Sequence, residues 1–232
     1  MGGGSTDTSG DDAGGAVEGH LQVARSARYW TLGEPGGDQE EAWLVLHGYG
    51  QLARRFLRRF TALAGPSRLL VAPEALSRFY IGSVEGRHGP DTLVGATWMT
   101  REDREAEIRD YVAYLDALAA AVVEKGQRVT VLGFSQGVAT AWRWVTYGSV
   151  PGLARLVGWA GTLPPDLDLD RARRAVASAE VVLVSGGRDV SVPPAVTEES
   201  ASRLRAAGID AHVVHHPGGH DIDEPTLQRI AG

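Results

Sequence analysis

Apolar residues along this chain fall into short continuous runs that alternate with longer stretches of helical spacing. Residues 42–46, 68–72, 128–132, 153–160, 179–184 and 211–215 are runs of strand length, rich in Val, Leu and Ala. Between the first two, residues 52–64 place Leu52, Phe56, Phe60 and Leu63 on one helical stripe, with Arg54, Arg55, Arg58 and Arg59 on other faces. A longer helix follows, with Thr100 as N-cap, Asp103 at N3 and Gly126 as stop; Ile108, Val112, Leu115, Ala119 and Val122 share its apolar side. Further helices are predicted over 136–147, 170–178, 194–207 and 226–230, and two short apolar segments, 21–23 and 29–32, precede the first long run. Strand and helix alternating in this way predict parallel strands joined by right-handed crossovers: a doubly wound, mostly parallel sheet with helices on both faces. Ligands of such a sheet bind at the carboxyl ends of its strands.

Two stretches stand outside the pattern. Residues 1–15 are mainly Gly, Ser, Thr and Asp, too polar to offset ordering entropy by burial. Residues 1–19 are therefore expected to be a disordered leader, and 20–232 one α/β domain. Residues 73–99 hold four glycines and two prolines without periodicity, and read as one long loop of the kind that usually serves function.

Composition narrows the chemistry. The 232 residues are 43% apolar, enough for a sizeable core, and carry 23 Lys and Arg against 29 Asp and Glu. Four of those acids, Asp7, Asp11, Asp12 and Glu18, lie in the leader, so the remainder is nearly neutral. That balance gives no electrostatic reason to expect a nucleic acid or an anionic membrane as partner. With no cysteine, disulfides, thiol catalysis, Cys-ligated zinc and iron–sulfur centres are excluded. No stretch approaches 18 continuous apolar residues, so no integral membrane association is expected.

The segment Gly133-Phe134-Ser135-Gln136-Gly137 lies between an apolar strand and a helix. G-x-S-x-G in that setting forces a sharp strand-to-helix turn, in which glycines allow backbone segments to approach and the serine hydroxyl is exposed at the top of the sheet. Its alternative is a structural serine in a tight turn. A nucleophilic serine needs a base, and the chain has seven histidines. In this class of fold the order is serine, acid, histidine. His220, just past the last strand after Pro217-Gly218-Gly219, fits that order; His215 and His216 at the strand end are the alternatives. His88 lies in the long loop. Asp189, in the Gly-rich loop after strand 179–184, is the candidate acid, whereas Asp166, Asp168 and Asp170 read as a capping and surface run, and Asp223 as a cap of the last helix. Two backbone amides would complete an oxyanion hole: that of Gln136, after the serine, and that of Tyr49, in Leu46-His47-Gly48-Tyr49-Gly50.

Together these residues resemble the phospholipase/carboxylesterase family of α/β hydrolases, which includes acyl-protein thioesterases and small bacterial carboxylesterases. The resemblance spans roughly residues 40–225 in four motifs: the His47 to Gly50 segment, the Ser135 elbow, Gly186-Gly187-Arg188-Asp189 with Val192-Pro193, and Gly219-His220. Val138 replaces the family's common glycine, and Gln51 its common aspartate. The resemblance implies an α/β-hydrolase fold, a serine carboxylesterase needing no metal or organic cofactor, a small-molecule ester as substrate, a cytoplasmic setting, and a homodimer as one admissible assembly. Phe79, Tyr80 and Trp98 are candidates for an acyl pocket; the alternative is that they anchor the long loop to the core. Short to medium acyl esters are the expected substrates, with a lysophospholipase, an acyl-protein thioesterase and a non-catalytic binding protein as alternatives.

Overall fold

The computed structural model describes residues 17–82 and 89–232. Most of the expected leader and His88 therefore lie outside the described residues. Seven strands form one sheet in the order β1-β3-β2-β6-β7-β8-β9. They are β1 (Tyr29–Leu32), β2 (Glu41–Leu46), β3 (Arg68–Pro73), β6 (Arg128–Phe134), β7 (Leu153–Trp159), β8 (Glu180–Gly186) and β9 (His212–His216). Edge strand β1 runs antiparallel to β3 and the other six are parallel.

Apolar side chains cover both faces of the sheet, as expected of buried parallel strands. On one face Leu44, Val131 and Leu156 pack beneath α2 (Arg104–Val122), α3 (Gln136–Tyr147), α4 (Leu169–Ala175) and α5 (Pro194–Ala206). On the other, Trp43, Val45 and Val157 meet α1 (Ala53–Leu57), the 3-10 turns of Arg58–Leu63, and α6 (Glu224–Ala231). Chain order reverses between β2 and β6, which opens a crevice at their carboxyl ends.

Three local expectations need correction. The helix expected over 52–64 gives way to 3-10 geometry from Arg58, although its apolar stripe is buried as read. The 73–99 stretch is not a featureless loop: β4 (Ser77–Tyr80) and β5 (Val94–Thr97) pair as an antiparallel ribbon, and isolated contacts join Gln51 to Ala96. Thr100 does not cap α2. Asp103 occupies that position in a left-handed conformation without a side-chain cap bond, its carboxylate engaged by His20 at 3.0 Å. Asp168 and Asp223 do cap α4 and α6, accepting from Arg171 and Thr226 N–H.

Residues 17–28 form no helix or strand but are tethered to the body. Arg25 donates to the Leu76 carbonyl, and Arg28 to the buried Glu74 carboxylate. Among the described residues, no helix is long and apolar enough to cross a membrane.

Candidate active site

Ser135 sits between β6 and α3 with φ 54° and ψ −118°, a strained conformation for a residue with a Cβ. Close packing holds it there. A Cβ on Gly133 would collide with the Gly137 carbonyl, and one on Gly137 with the Leu46 carbonyl, so the strand, the turn and the first helical turn interlock only with glycine at both places. Ser135 N–H donates to the Trp159 carbonyl at 2.9 Å. The Ser135 side chain does not cap α3, leaving its hydroxyl free to project from the helix N-terminus.

The loops after β8 and β9 bring Asp189 and His220 together. His220 Nδ1 lies 2.7 Å from Asp189 Oδ2. The Asp189 side chain is fully buried, and its Oδ1 accepts from the N–H groups of Ser191 and Val192 at 2.8 and 2.9 Å. With the carboxylate so fixed, Nδ1 of His220 is the donor and Nε2 is left to accept a proton. The His220 loop is tied down on both sides. Arg188 N–H donates to the Gly218 carbonyl, Gly218 N–H to His216 Nδ1, and Trp159 Nε1 to the Asp221 carbonyl. The His220 ring packs 5.0 Å from that of Phe134, the residue before Ser135. The hydrogen bond from Ser135 to His220 is not among those the structure makes; such contacts commonly close only around substrate.

The alternative histidines are committed elsewhere. His215 is half-exposed and lies 3.1 Å from Glu198, while His216 is buried against Trp159 and serves as the acceptor for Gly218.

The His47–Gly50 segment crosses the carboxyl end of β2 next to the elbow, where a Cβ on Gly48 would stand 3.1 Å from that of Ser135. Gln51, at the place of the family's aspartate, accepts from Gly48 N–H at 2.9 Å. The Gly50 N–H goes to the Ala96 carbonyl. Among the described residues, neither the Tyr49 nor the Gln136 amide has a protein acceptor, which leaves both N–H groups for a ligand oxygen.

His47 holds this loop from within. Its Nδ1 lies 2.8 Å from the Gly48 carbonyl, and its Nε2 accepts from Ala75 N–H at 3.1 Å. Burial pushes the imidazole below the ordinary histidine value, opposed by the Gly48 hydrogen bond and the Glu74 charge. Protonation would remove the acceptor that Ala75 needs. Because the folded-state value is depressed, the stability His47 contributes is present above the unfolded value of 6.5 and is lost as pH falls through the folded value. His47→Asn is therefore expected to flatten the decline of Tm below about pH 6.5; an unchanged Tm–pH slope would contradict this role.

Trp98 is not among the residues that wall the cavity at Ser135. It is buried under the loop, donating from Nε1 to the His47 carbonyl at 2.8 Å, with its ring 5.1 Å from that of His47. Phe79 packs its ring 5.1 Å from Tyr49, and Tyr80 is half-exposed on the β4–β5 ribbon. The cavity that opens on Ser135, about 330 Å³, is walled instead by Met99, Thr140, Arg143, Pro164 and Val192, among others. The Gln136 side chain fixes one wall, donating to the Met99 carbonyl and accepting from Trp98 N–H.

Among the described residues, one group of three metal-ligating side chains comes within reach of a common point: Glu18, His20 and Asp103. All three are exposed, and none of them is Ser135, Asp189 or His220.

Comparison with known proteins finds the same fold in solved structures. In fold, the chain is similar to an acyl-protein thioesterase 2 of Zea mays (TM-score 0.67, 21% identity, covering 88% of this chain and 96% of that one). It is also similar to a carboxylesterase of Mesorhizobium loti (TM-score 0.65, 20% identity, 89% and 95% covered). In sequence, it is 30% identical over 118 residues to a Salmonella typhimurium protein named "Putative carboxymethylenebutenolidase", covering 47% of this chain and 43% of that protein. The chain thus spans less than half the length of the curated relatives it matches. The family model described as Serine hydrolase (FSH1) matches residues 38–230. The chain has an α/β-hydrolase fold and belongs to the serine hydrolase (FSH1) family.

Proposed function

We propose that the protein hydrolyses short to medium acyl esters of small molecules through an acyl-enzyme on Ser135. The observation that carries this reading is the buried Asp189 carboxylate bonded to His220 at the same sheet edge as the strained Ser135 elbow. In the first half-reaction Ser135 Oγ attacks the ester carbonyl carbon as His220 Nε2 takes the hydroxyl proton. The carbonyl oxygen becomes an oxyanion between the Tyr49 and Gln136 amides. Collapse breaks the bond to the alcohol, which leaves with the proton held by His220. Water then repeats the sequence on the acyl-enzyme, releasing the acid and restoring Ser135. Asp189 orients the ring and stabilises the imidazolium without taking the proton.

Cavity size supports the acyl length. About 330 Å³ is the lower end of small-molecule sites. Each methylene it buries contributes about 0.8 kcal/mol, so preference should climb with the first carbons and fall once the chain outgrows the cavity. With p-nitrophenyl esters from C2 to C16, each below its micelle-forming concentration, kcat/KM is expected to peak between about C2 and C8. A peak at C12 or beyond would favour a lipid-directed lysophospholipase or thioesterase.

A further inference from the structure

The wall of the cavity that α3 forms contains a charge that the reaction does not use. Gln136, Thr140 and Arg143 all line the cavity from α3. They follow one another at helical spacing, so the stripe spans about 10 Å, from the residue after the nucleophile to a guanidinium. Arg143 is 4% exposed. A buried arginine is costly unless its donors are filled, and these are filled only in part. Of a guanidinium's five N–H donors, one goes to Asp166 Oδ1 at 2.9 Å, another meets only the Met99 thioether at 3.4 Å, and Nε has no partner.

The single carboxylate is also shared. Asp166 Oδ2 is bound by Arg104 at 2.5 Å, and Glu105 pairs with Arg104 on its exposed side. Burial pushes the Asp166 carboxyl up, but the hydrogen bonds from Arg104 and Arg143 outweigh it and hold it at about 2. Two guanidiniums therefore share one ionised, partly exposed carboxylate, and the one facing the nucleophile's cavity is the less completely satisfied. The Tyr111 hydroxyl, pushed up to about 12 chiefly by burial against the charge and hydrogen bonding of Arg143, stays a neutral phenol, so it offers the guanidinium a neutral oxygen and no second anion.

We propose that Arg143 is a specificity residue and that the preferred esters carry a carboxylate, which seats on its guanidinium while the ester carbonyl lies at Ser135. This rests on the reading of Ser135 as nucleophile. The incoming carboxylate replaces the thioether contact of Met99 and fills donors now empty. A charge-assisted hydrogen bond of this kind discriminates by about 10- to 100-fold against a ligand that lacks the charge.

The test compares p-nitrophenyl half-esters of C6 to C8 dicarboxylic acids with p-nitrophenyl esters of the monocarboxylic acids of equal length, each rate normalised to hydroxide-catalysed hydrolysis. A second pair, 3-carboxyphenyl butyrate and phenyl butyrate, probes the alcohol side. The wild-type enzyme is expected to favour the anionic member of at least one pair by 10- to 100-fold in kcat/KM. That ratio should fall to about one in Arg143→Met, persist in part in Arg143→Lys, and rise in Asp166→Asn, where the competing carboxylate is gone. A merely structural arginine would lower both members of a pair together and leave the ratio fixed. If wild-type enzyme hydrolyses neutral esters with no anionic preference in either pair, the inference is overturned and the hydrolase reading stands. If it hydrolyses none of the four substrate types, the nucleophile reading itself has failed.

Discussion

His220→Ala is expected to lower kcat for ester hydrolysis by about a millionfold while the fold survives, because the members of such a triad act as a unit and one removal forfeits nearly the whole contribution. The ring is 27% exposed, so its loss opens no large core cavity. Asp189 keeps its Ser191 and Val192 donors in the variant and is not left wholly unpaired. Two controls separate base from neighbours. His215→Ala removes a half-exposed side chain paired with Glu198 and should leave kcat within a few-fold. His216→Ala deletes the acceptor for Gly218 and should have an intermediate effect through the His220 loop. A His220→Ala enzyme that turns over at near-normal rate would show that the base lies elsewhere, with His216 next in line.

Ser135→Ala is expected to cost as much. The backbone at this position is strained for any residue with a Cβ, so alanine substitutes at no added conformational cost and the tightly packed elbow is kept. What disappears is the oxygen that becomes covalently bonded to substrate. The oxyanion donors remain, since both are backbone amides, and a residual rate of about a thousandfold over water is expected from them and from binding. Measured with substrate in excess, the loss should fall on kcat with little change in the binding of a competitive product acid. A large loss in Tm would mean instead that the serine hydroxyl serves the fold.

The elbow was legible in the sequence because its whole logic is local: a strand, two glycines at fixed spacing around Ser135, and a helix. Asp189 and His220 were legible through strand order, since a parallel sheet sends every loop at a strand's carboxyl end to one edge. What escaped was set by long-range contact. The β4–β5 ribbon pairs two four-residue strands far apart in sequence, each too short for a period of two to stand out. For Trp98 the sequence leaves pocket lining and a loop anchor equally open, because both suit an aromatic residue in a loop; the contact that bears on it, from the indole to the His47 carbonyl, is long-range. His47 and Gln51 belong to a recognisable motif, but their hydrogen bonds that hold the loop depend on contacts the motif does not show. Arg143 carries one sequence signal: it is the lone charge in a helix whose neighbours Ala141, Trp142, Trp144 and Val145 are all apolar, and the structure buries them.

One serine, Ser135, is expected to carry the chemistry. The most direct measurement is labelling of the intact protein with a fluorophosphonate, followed by mass analysis of the whole chain and of its peptides. The account predicts a single adduct per chain, on the peptide containing Ser135, with esterase activity lost in proportion and no adduct in Ser135→Ala. An adduct on any other residue, or undiminished hydrolysis after complete labelling of Ser135, would contradict it.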